Sequence, residues 1–198
     1  MKRALSAFFS LVMCVGLASA AAPPSNAGLK SGAFDPPRAA PDFNLRGSDG
    51  TELKLSRFRG KLVVLEFGYT FCPDVCPVSL AMLAEARKKL GPLAADMQVI
   101  YVTVDPERDT AEHMRKFLAA FDPTFIGATG TPAQLEKVRK DYGITATKKM
   151  VEGSKTAYTV HHSSYLYFVD SKGSLRALMP FGRTADDIAY DARILLKK

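Results

Sequence analysis

The sequence predicts an α/β fold, a mixed sheet flanked by helices, and three observations point to it. Continuous apolar runs such as "KLVVLEF" and "MQVIYVTV" suit strands buried on both faces, as in parallel sheets covered by helices. Between them lie segments with apolar residues at helical spacing, bounded by capping and stop signals. Two alternating segments with Gly-containing turns, one early and one late, read as hairpins that bring antiparallel pairs into the sheet.

The elements follow in chain order. "DFNLRGSDGTELKLSRF" reads as a hairpin turning through Ser48, Asp49 and Gly50, and "KLVVLEFGYT" as a buried strand. "VSLAMLAEARKKLG" is a helix that stops at Gly91 and Pro92. "MQVIYVTVD" is a second buried strand. "DTAEHMRKFLAAF" is a helix whose Asp109 and Glu112 fit a capping box, and "TFIGATG" a short strand and turn. "TPAQLEKVRKDYG" opens with Thr131 as cap, Pro132 at the first helical position and Gln134 three beyond the cap, and closes at Gly143. "AYTVHHSSYLYFVD" and "SLRALMPFG" flank Ser171, Lys172 and Gly173 as the late hairpin, and "TADDIAYDARILLKK" is a terminal helix. Parallel crossovers with an antiparallel edge make this the thioredoxin-like plan, carrying an N-terminal β-hairpin and an inserted late β-hairpin. In such sheets chemistry gathers beyond the C-terminal ends of the parallel strands. Cys72 falls just past the end of "KLVVLEF".

The N-terminal stretch reads as an export signal. Lys2 and Arg3 precede nineteen uncharged residues from Ala4 to Ala22, and Ala18, Ser19 and Ala20 offer a small-x-small cleavage site. An uncleaved membrane anchor is the competing reading, since the run is nearly long enough to span a bilayer. A lipoprotein signal at Cys14 fits less well, because bulky Met13 precedes it, and the stretch is not the Arg-rich amphipathic helix of an organelle transit peptide. The expected organisation is therefore a signal over 1–20, a flexible Pro- and Ala-rich linker over 21–40, and one domain over 41–198 located in the periplasm or cell envelope. Removing the signal leaves 25 basic against 20 acidic groups. The basic residues alternate with carboxylates, as on solvated helix faces, and no aromatic-interleaved basic stripe suggests nucleic acid.

With Cys14 gone, the exported chain holds only Cys72 and Cys76, each followed by proline in "FCPDVCP". A disulfide closing so short a loop adds little chain-entropy stabilisation, so the spacing points to chemistry. With a helix starting near Pro73 or Asp74, both sulfurs face one point at its N-terminus, where the dipole and free N–H groups favour thiolate. The pair is then a redox couple, a metal clamp or both. Two thiolates still need a third ligand, and the histidines are His113, His161 and His162. His113 belongs to a charged helix and reads as a solvated residue. His161 and His162 are neighbours on a strand, so they point to opposite faces and one of them can meet the sulfurs. Two thiolates and an imidazole suit Cu(I) or Cu(II), and also zinc. Met150 is a soft donor in a loop. "DPERDT" reads as a turn followed by a helix cap, and "GATGTP" lacks the lysine of a phosphate loop.

Four segments in order, "FGYTFCPDVCP", "VTVDPERDT", "GATGTPAQLEKVRKDYG" and "YTVHHSSYLYFVDSKG", resemble the Sco/SenC family over residues 41 to 196. The resemblance implies an exported, usually membrane-tethered copper-binding protein. Its role would be that of a copper chaperone or thiol reductase in assembly of the binuclear copper site of cytochrome c oxidase. It implies Cys72 and Cys76 as metal ligands, and as the catalytic pair if redox active, with His162, which precedes Ser163, as the third ligand. The partners it implies are the copper-site subunit of the oxidase and other copper chaperones or thiol–disulfide oxidoreductases. The sequence departs from the family at Phe71, where many members have histidine, and at His161, where aspartate is usual. The alternative reading is a metal-independent thiol–disulfide reductase acting on the oxidase subunit's cysteines. Peroxide reduction fits poorly, since Phe71 gives no polar support to an attacking thiolate.

Overall fold

The computed structural model describes residues 28–197. The expected signal, Cys14 and the first part of the expected linker lie outside the described residues. Ten strands and four α-helices are described: β1 Gly32–Ala39, β2 Asn44–Gly47, β3 Glu52–Lys54, β4 Leu62–Gly68, α1 Val75–Leu90, β5 Met97–Thr103, α2 Ala111–Ala119, β6 Ile126–Thr129, α3 Pro132–Tyr142, β7 Ala146–Met150, β8 Tyr158–His162, β9 Tyr165–Val169, β10 Ser174–Pro180 and α4 Ala185–Leu196. Eight strands form one sheet in the order β1-β10-β9-β4-β5-β6-β2-β3, and β7 pairs with β8 in a separate ribbon. The β4–β5 and β5–β6 pairings are parallel and the others antiparallel.

The two central parallel strands are buried at every position, as their unbroken apolar runs require. Helix α3 carries the expected capping box between Thr131 and Gln134 and ends at Gly143 in the left-handed conformation, where glycine has no Cβ to clash. The early hairpin is β2–β3, and the late one is β9–β10.

Four expectations are corrected. The stretch 32–39, placed in the flexible linker, is strand β1 and pairs with β10, so the folded unit begins earlier than residue 41. Its prolines are tolerated because β1 is an edge strand with one side unpaired. Helix α1 starts at Val75 rather than at Pro73 or Asp74. Asp109 does not cap α2: the cap is Thr110, whose side chain accepts from the His113 N–H, while Asp109 is fully buried. Finally, "AYTVHHSSYLYFVD" is two strands. It breaks at Ser163 and Ser164, where the Ser163 N–H donates to the Thr145 carbonyl and the Ser164 carbonyl accepts from the Phe181 N–H. The first half becomes β8 and folds against β7, the insertion proper, while the second continues as β9 beside β4.

Candidate metal centre

The site is assembled from two chain segments. Strand β4 ends at Gly68, and the loop Tyr69–Asp74 carries Cys72 to the start of α1, whose second residue is Cys76. The Cys76 N–H faces the Cys72 sulfur at 3.5 Å, so the first helical turn holds the two sulfurs on one side. The other segment is the end of β8. Strand alternation sends His161 to solvent and turns His162 inward, where its Nε2 lies 3.4 Å from Cys76 Sγ.

The donor atoms of Cys72, Cys76 and His162 all lie within 4.8 Å of one another, and both thiols are free. Metal bonds of about 2.3 Å to sulfur and 2.0 Å to nitrogen put three donors around one ion roughly 3.5–4 Å apart, so the triad needs little movement to close on one. The imidazole is set up for it. Nδ1 of His162 donates to the Ser163 carbonyl at 2.9 Å, which leaves Nε2 as the ring nitrogen aimed at the sulfurs. Tyr69 packs edge-on against this ring, and its hydroxyl accepts from the Val160 N–H at 3.2 Å, tying β8 to the cysteine loop.

The sulfurs are electrostatically unequal. The thiol of Cys76 donates to Cys72, and with His162 and the N–H groups of Asp74 and Cys76 this holds the half-buried Cys72 well below the ordinary thiol range. The same hydrogen bond, with near-complete burial, pushes Cys76 up. One proton is shared by the pair, and Cys72 is the sulfur that carries the charge.

The close approach of the chain beneath Cys76 depends on glycine. A Cβ at Gly68 would stand 2.8 Å from Cys76 Sγ and would strike the Tyr101 hydroxyl as well.

The sequence missed the supports of this loop. Asp109 accepts from the Thr70 N–H at 3.1 Å, from the Thr70 hydroxyl at 2.6 Å and from the Thr103 hydroxyl at 2.7 Å, fastening the residues just before Cys72 to the end of β5. Burial raises its pKa against the lowering effect of these bonds. Arg108 pairs with Asp105 and stacks on Tyr158, 3.8 Å from the ring centroid, with Phe71 at 4.8 Å. Asp105 also accepts from the Tyr158 hydroxyl, so the β7–β8 ribbon is pinned beside the site. "DPERDT" does form a turn and, at Thr110, a helix cap, and in addition two of its carboxylates, Asp105 and Asp109, are buried anchors.

His113 is exposed, as expected of it, but it is not idle. Its ring stacks on Phe71 at 5.2 Å and its Nε2 meets the Thr70 hydroxyl at 2.9 Å. It stands outside the triad. Met150 ends a strand rather than lying in a loop, paired with Tyr158 and 57% exposed. That is four residues along the ribbon from the His162 row, about 13 Å at 3.3 Å per residue, so it does not join the sulfurs.

The fold and the site define a thioredoxin-like domain with a Cys-Cys-His donor set at the C-terminal edge of its parallel strands. The SCO1/SenC family profile matches residues 32–197, and the chain belongs to that family. It is 32% identical over 132 residues to a SCO2-like protein of Rickettsia conorii, a match spanning 67% of this chain and 64% of the relative's length. Among solved structures it is similar to Bradyrhizobium japonicum ScoI with copper bound, at 34% identity and a TM-score of 0.73, covering 80% of this chain and 99% of that one. Apo Sco1 from Thermus thermophilus matches at 34% identity and a TM-score of 0.76, covering 85% and 97%.

Proposed function

We propose that this protein is an exported copper-binding metallochaperone that delivers copper to, or prepares, the binuclear copper site of cytochrome c oxidase. Cys72, Cys76 and His162 hold the ion. The observation that carries the reading is the convergence of two free sulfurs and an imidazole nitrogen within 4.8 Å. Soft thiolates with one imidazole suit copper, and family membership with the likeness to a copper-bound relative favours it over zinc. Loading is gated by thiol state, because a Cys72–Cys76 disulfide has no thiolate to offer. Copper is cargo here, and it leaves by exchange of these ligands for those of the acceptor.

The test is anaerobic copper titration of the reduced chain, with stoichiometry read by elemental analysis. One ion per chain, lost in the double variant Cys72→Ser/Cys76→Ser, is the expected result. Equal affinity in parent and double variant overturns the proposal.

A second reading is supported by the asymmetry of the sulfurs. A low-pKa, half-exposed Cys72 and a buried, protonated Cys76 match the attacking and resolving roles of a thiol–disulfide reductase acting on the oxidase subunit's cysteines. Reductase turnover that survives His162→Ala and metal chelation would favour it over the chaperone role.

A further inference from the structure

The pole of the molecule opposite the triad is basic, and the run of the chain makes it so. Helices α1 and α4 both start at the end of the sheet that carries the sulfurs and run the same way, so that Arg193 near the end of α4 donates to the Lys89 carbonyl near the end of α1. Cations favour helix C-termini, and helices that run together gather them in one place. Strand β4 begins at the same pole just after Lys61, and the β9–β10 turn, whose Ser171 carbonyl accepts from the Gly60 N–H, adds Lys172. Lys88, Lys172, Arg193 and Lys197 are exposed there, and Lys61 is half-buried. Carboxylates offset this only in part. Glu85 and Asp186 stand 4.0 and 3.1 Å from Lys89, and Glu85 is 3.9 Å from Lys88. Asp122 is taken by Arg87, and Asp96 is exposed. The pole that carries the triad instead holds Asp74 before α1, Glu112 in the first turn of α2 and Asp187 in that of α4.

Amid these cations stands an apolar turn. Gly91–Asp96 is a 3-10 turn with no buried residue, and Leu93 is 43% exposed between exposed Pro92 and partly exposed Ala94. The turn is fixed from beneath by two cationic side chains. Arg87 donates to the Ala94 carbonyl at 2.9 Å and to the Met97 carbonyl, and Lys61 donates to the Ala95 carbonyl at 3.1 Å. A single exposed leucine is ordinary. A leucine projected from a fixed turn inside a basic frame has the make-up of an interfacial contact, in which an apolar side chain enters the headgroup boundary while cations meet anionic headgroups.

We propose that this pole docks on an anionic lipid surface, with Leu93 entering the interface and the metal centre held facing away from the bilayer. Charge complementarity sets both the contact and its direction: the surface attracts the pole of Lys61, Lys88, Lys172, Arg193 and Lys197 and repels that of Asp74, Glu112 and Asp187. A lipid surface fits better than an acidic protein. The cations sit around the tip on the ends of separate elements rather than paired in a cleft, an arrangement that matches a field of headgroups and not one particular shape. The inference stands apart from what the triad binds. Its consequence for the triad is orientation, since Cys72, Cys76 and His162 are left open to a partner arriving from the aqueous side.

The chain has no tryptophan, so Leu93→Trp and Val78→Trp each supply a sole reporter, the first on the basic pole and the second, at a 44% exposed position of α1, beside the metal centre. Each is read in the chain as isolated from the exporting cell, added to vesicles of phosphatidylcholine alone or of equimolar phosphatidylcholine and phosphatidylglycerol. The N-terminal segment is the same in every variant, so its own affinity for lipid cancels in the comparison. Expected is a blue shift of the residue 93 emission with the anionic vesicles alone, reversed by high salt, and no shift at residue 78. Adding Lys88→Glu/Lys172→Glu to Leu93→Trp should raise the lipid concentration for half the shift about thirtyfold, which is about 1 kcal/mol for each cation removed. No shift at residue 93, an equal shift with neutral vesicles, a shift at residue 78, or an unchanged midpoint in the charge-reversed variant overturns the proposal. Should a reporter variant fail to fold, hydrogen exchange of the unsubstituted chain decides. Slower exchange of the 91–96 amides with anionic than with neutral vesicles supports the proposal, and equal exchange overturns it.

Discussion

Nε2 of His162 stands 3.4 Å from the sulfur of Cys76, across 86 residues of chain. The imidazole is presented by the last residue of β8, and its tautomer is set by its own neighbour, through Nδ1 and the Ser163 carbonyl. His161, one position earlier, faces solvent. His162→Ala is therefore expected to weaken copper binding by roughly 100-fold, a complete ligand loss being at least as severe as loss of the group that orients a ligand. His161→Ala should change it less than about threefold, within ordinary surface effects. Competition titrations against a chromophoric Cu(I) chelator check both, and equal losses in the two variants would contradict the assignment of the third ligand.

Gly68 is required by what lies over it. A methyl group there would press on Cys76 Sγ and the Tyr101 hydroxyl, both held by a packed core. Gly68→Ala should cost about 1–3 kcal/mol of stability by overpacking and weaken copper binding by displacing the buried sulfur. Urea denaturation alongside copper titration measures the two effects; a variant that loses neither would show that the sulfur has room to move.

Stability of the reduced protein should carry a signature of Glu66. Its folded pKa, about 8, lies above that of an unfolded chain, ordinarily 4.5. The contribution is then fully present below the unfolded value and is lost as pH rises through 8. Between the two, the folded state holds one more proton, so unfolding free energy falls by about 1.4 kcal/mol per pH unit from this group. Glu66→Gln should remove that slope. Chemical denaturation of parent and variant at several pH values under reducing conditions tests it, with parallel curves as the contrary result.

Asp109 fastens the cysteine loop through three accepted hydrogen bonds. Asp109→Ala leaves the Thr70 N–H and two hydroxyls without that partner in a buried place, and a loss of about 2–4 kcal/mol is expected. Because Thr70 is two residues before Cys72, copper affinity should fall too. Hydrogen exchange at the Thr70 amide gives a direct reading, and unchanged protection there would refute the anchoring role.

Much of this was legible in the chain itself. The buried strands "KLVVLEF" and "MQVIYVTV" announced themselves by unbroken apolarity, and Thr131, Gln134 and Gly143 marked both ends of α3. Cys72 and Cys76 were conspicuous by spacing and scarcity. The ribbon β7–β8 was not visible, since "ATKKM" is almost wholly exposed and shows no alternation. Strand β1 was hidden by its prolines, which an edge position tolerates. Asp109 looked like a helix cap because a carboxylate before a helix usually is one. Only the tertiary approach of Thr70 to Asp109, beside Thr103 at the end of β5, gives it buried partners.

What the chain determined alone was local: strand and helix periodicities, capping boxes, and two thiols placed within one turn of a helix start. Which histidine meets those thiols, which carboxylates are buried, and where the sulfur's charge resides were decided by the tertiary structure. The physical reason is that local geometry depends on neighbours in sequence, whereas coordination, desolvation and pKa depend on neighbours in space. Here the critical pair, Cys76 and His162, is brought together only when β8 breaks from β9 at Ser163 and Ser164 and folds back over the end of β4.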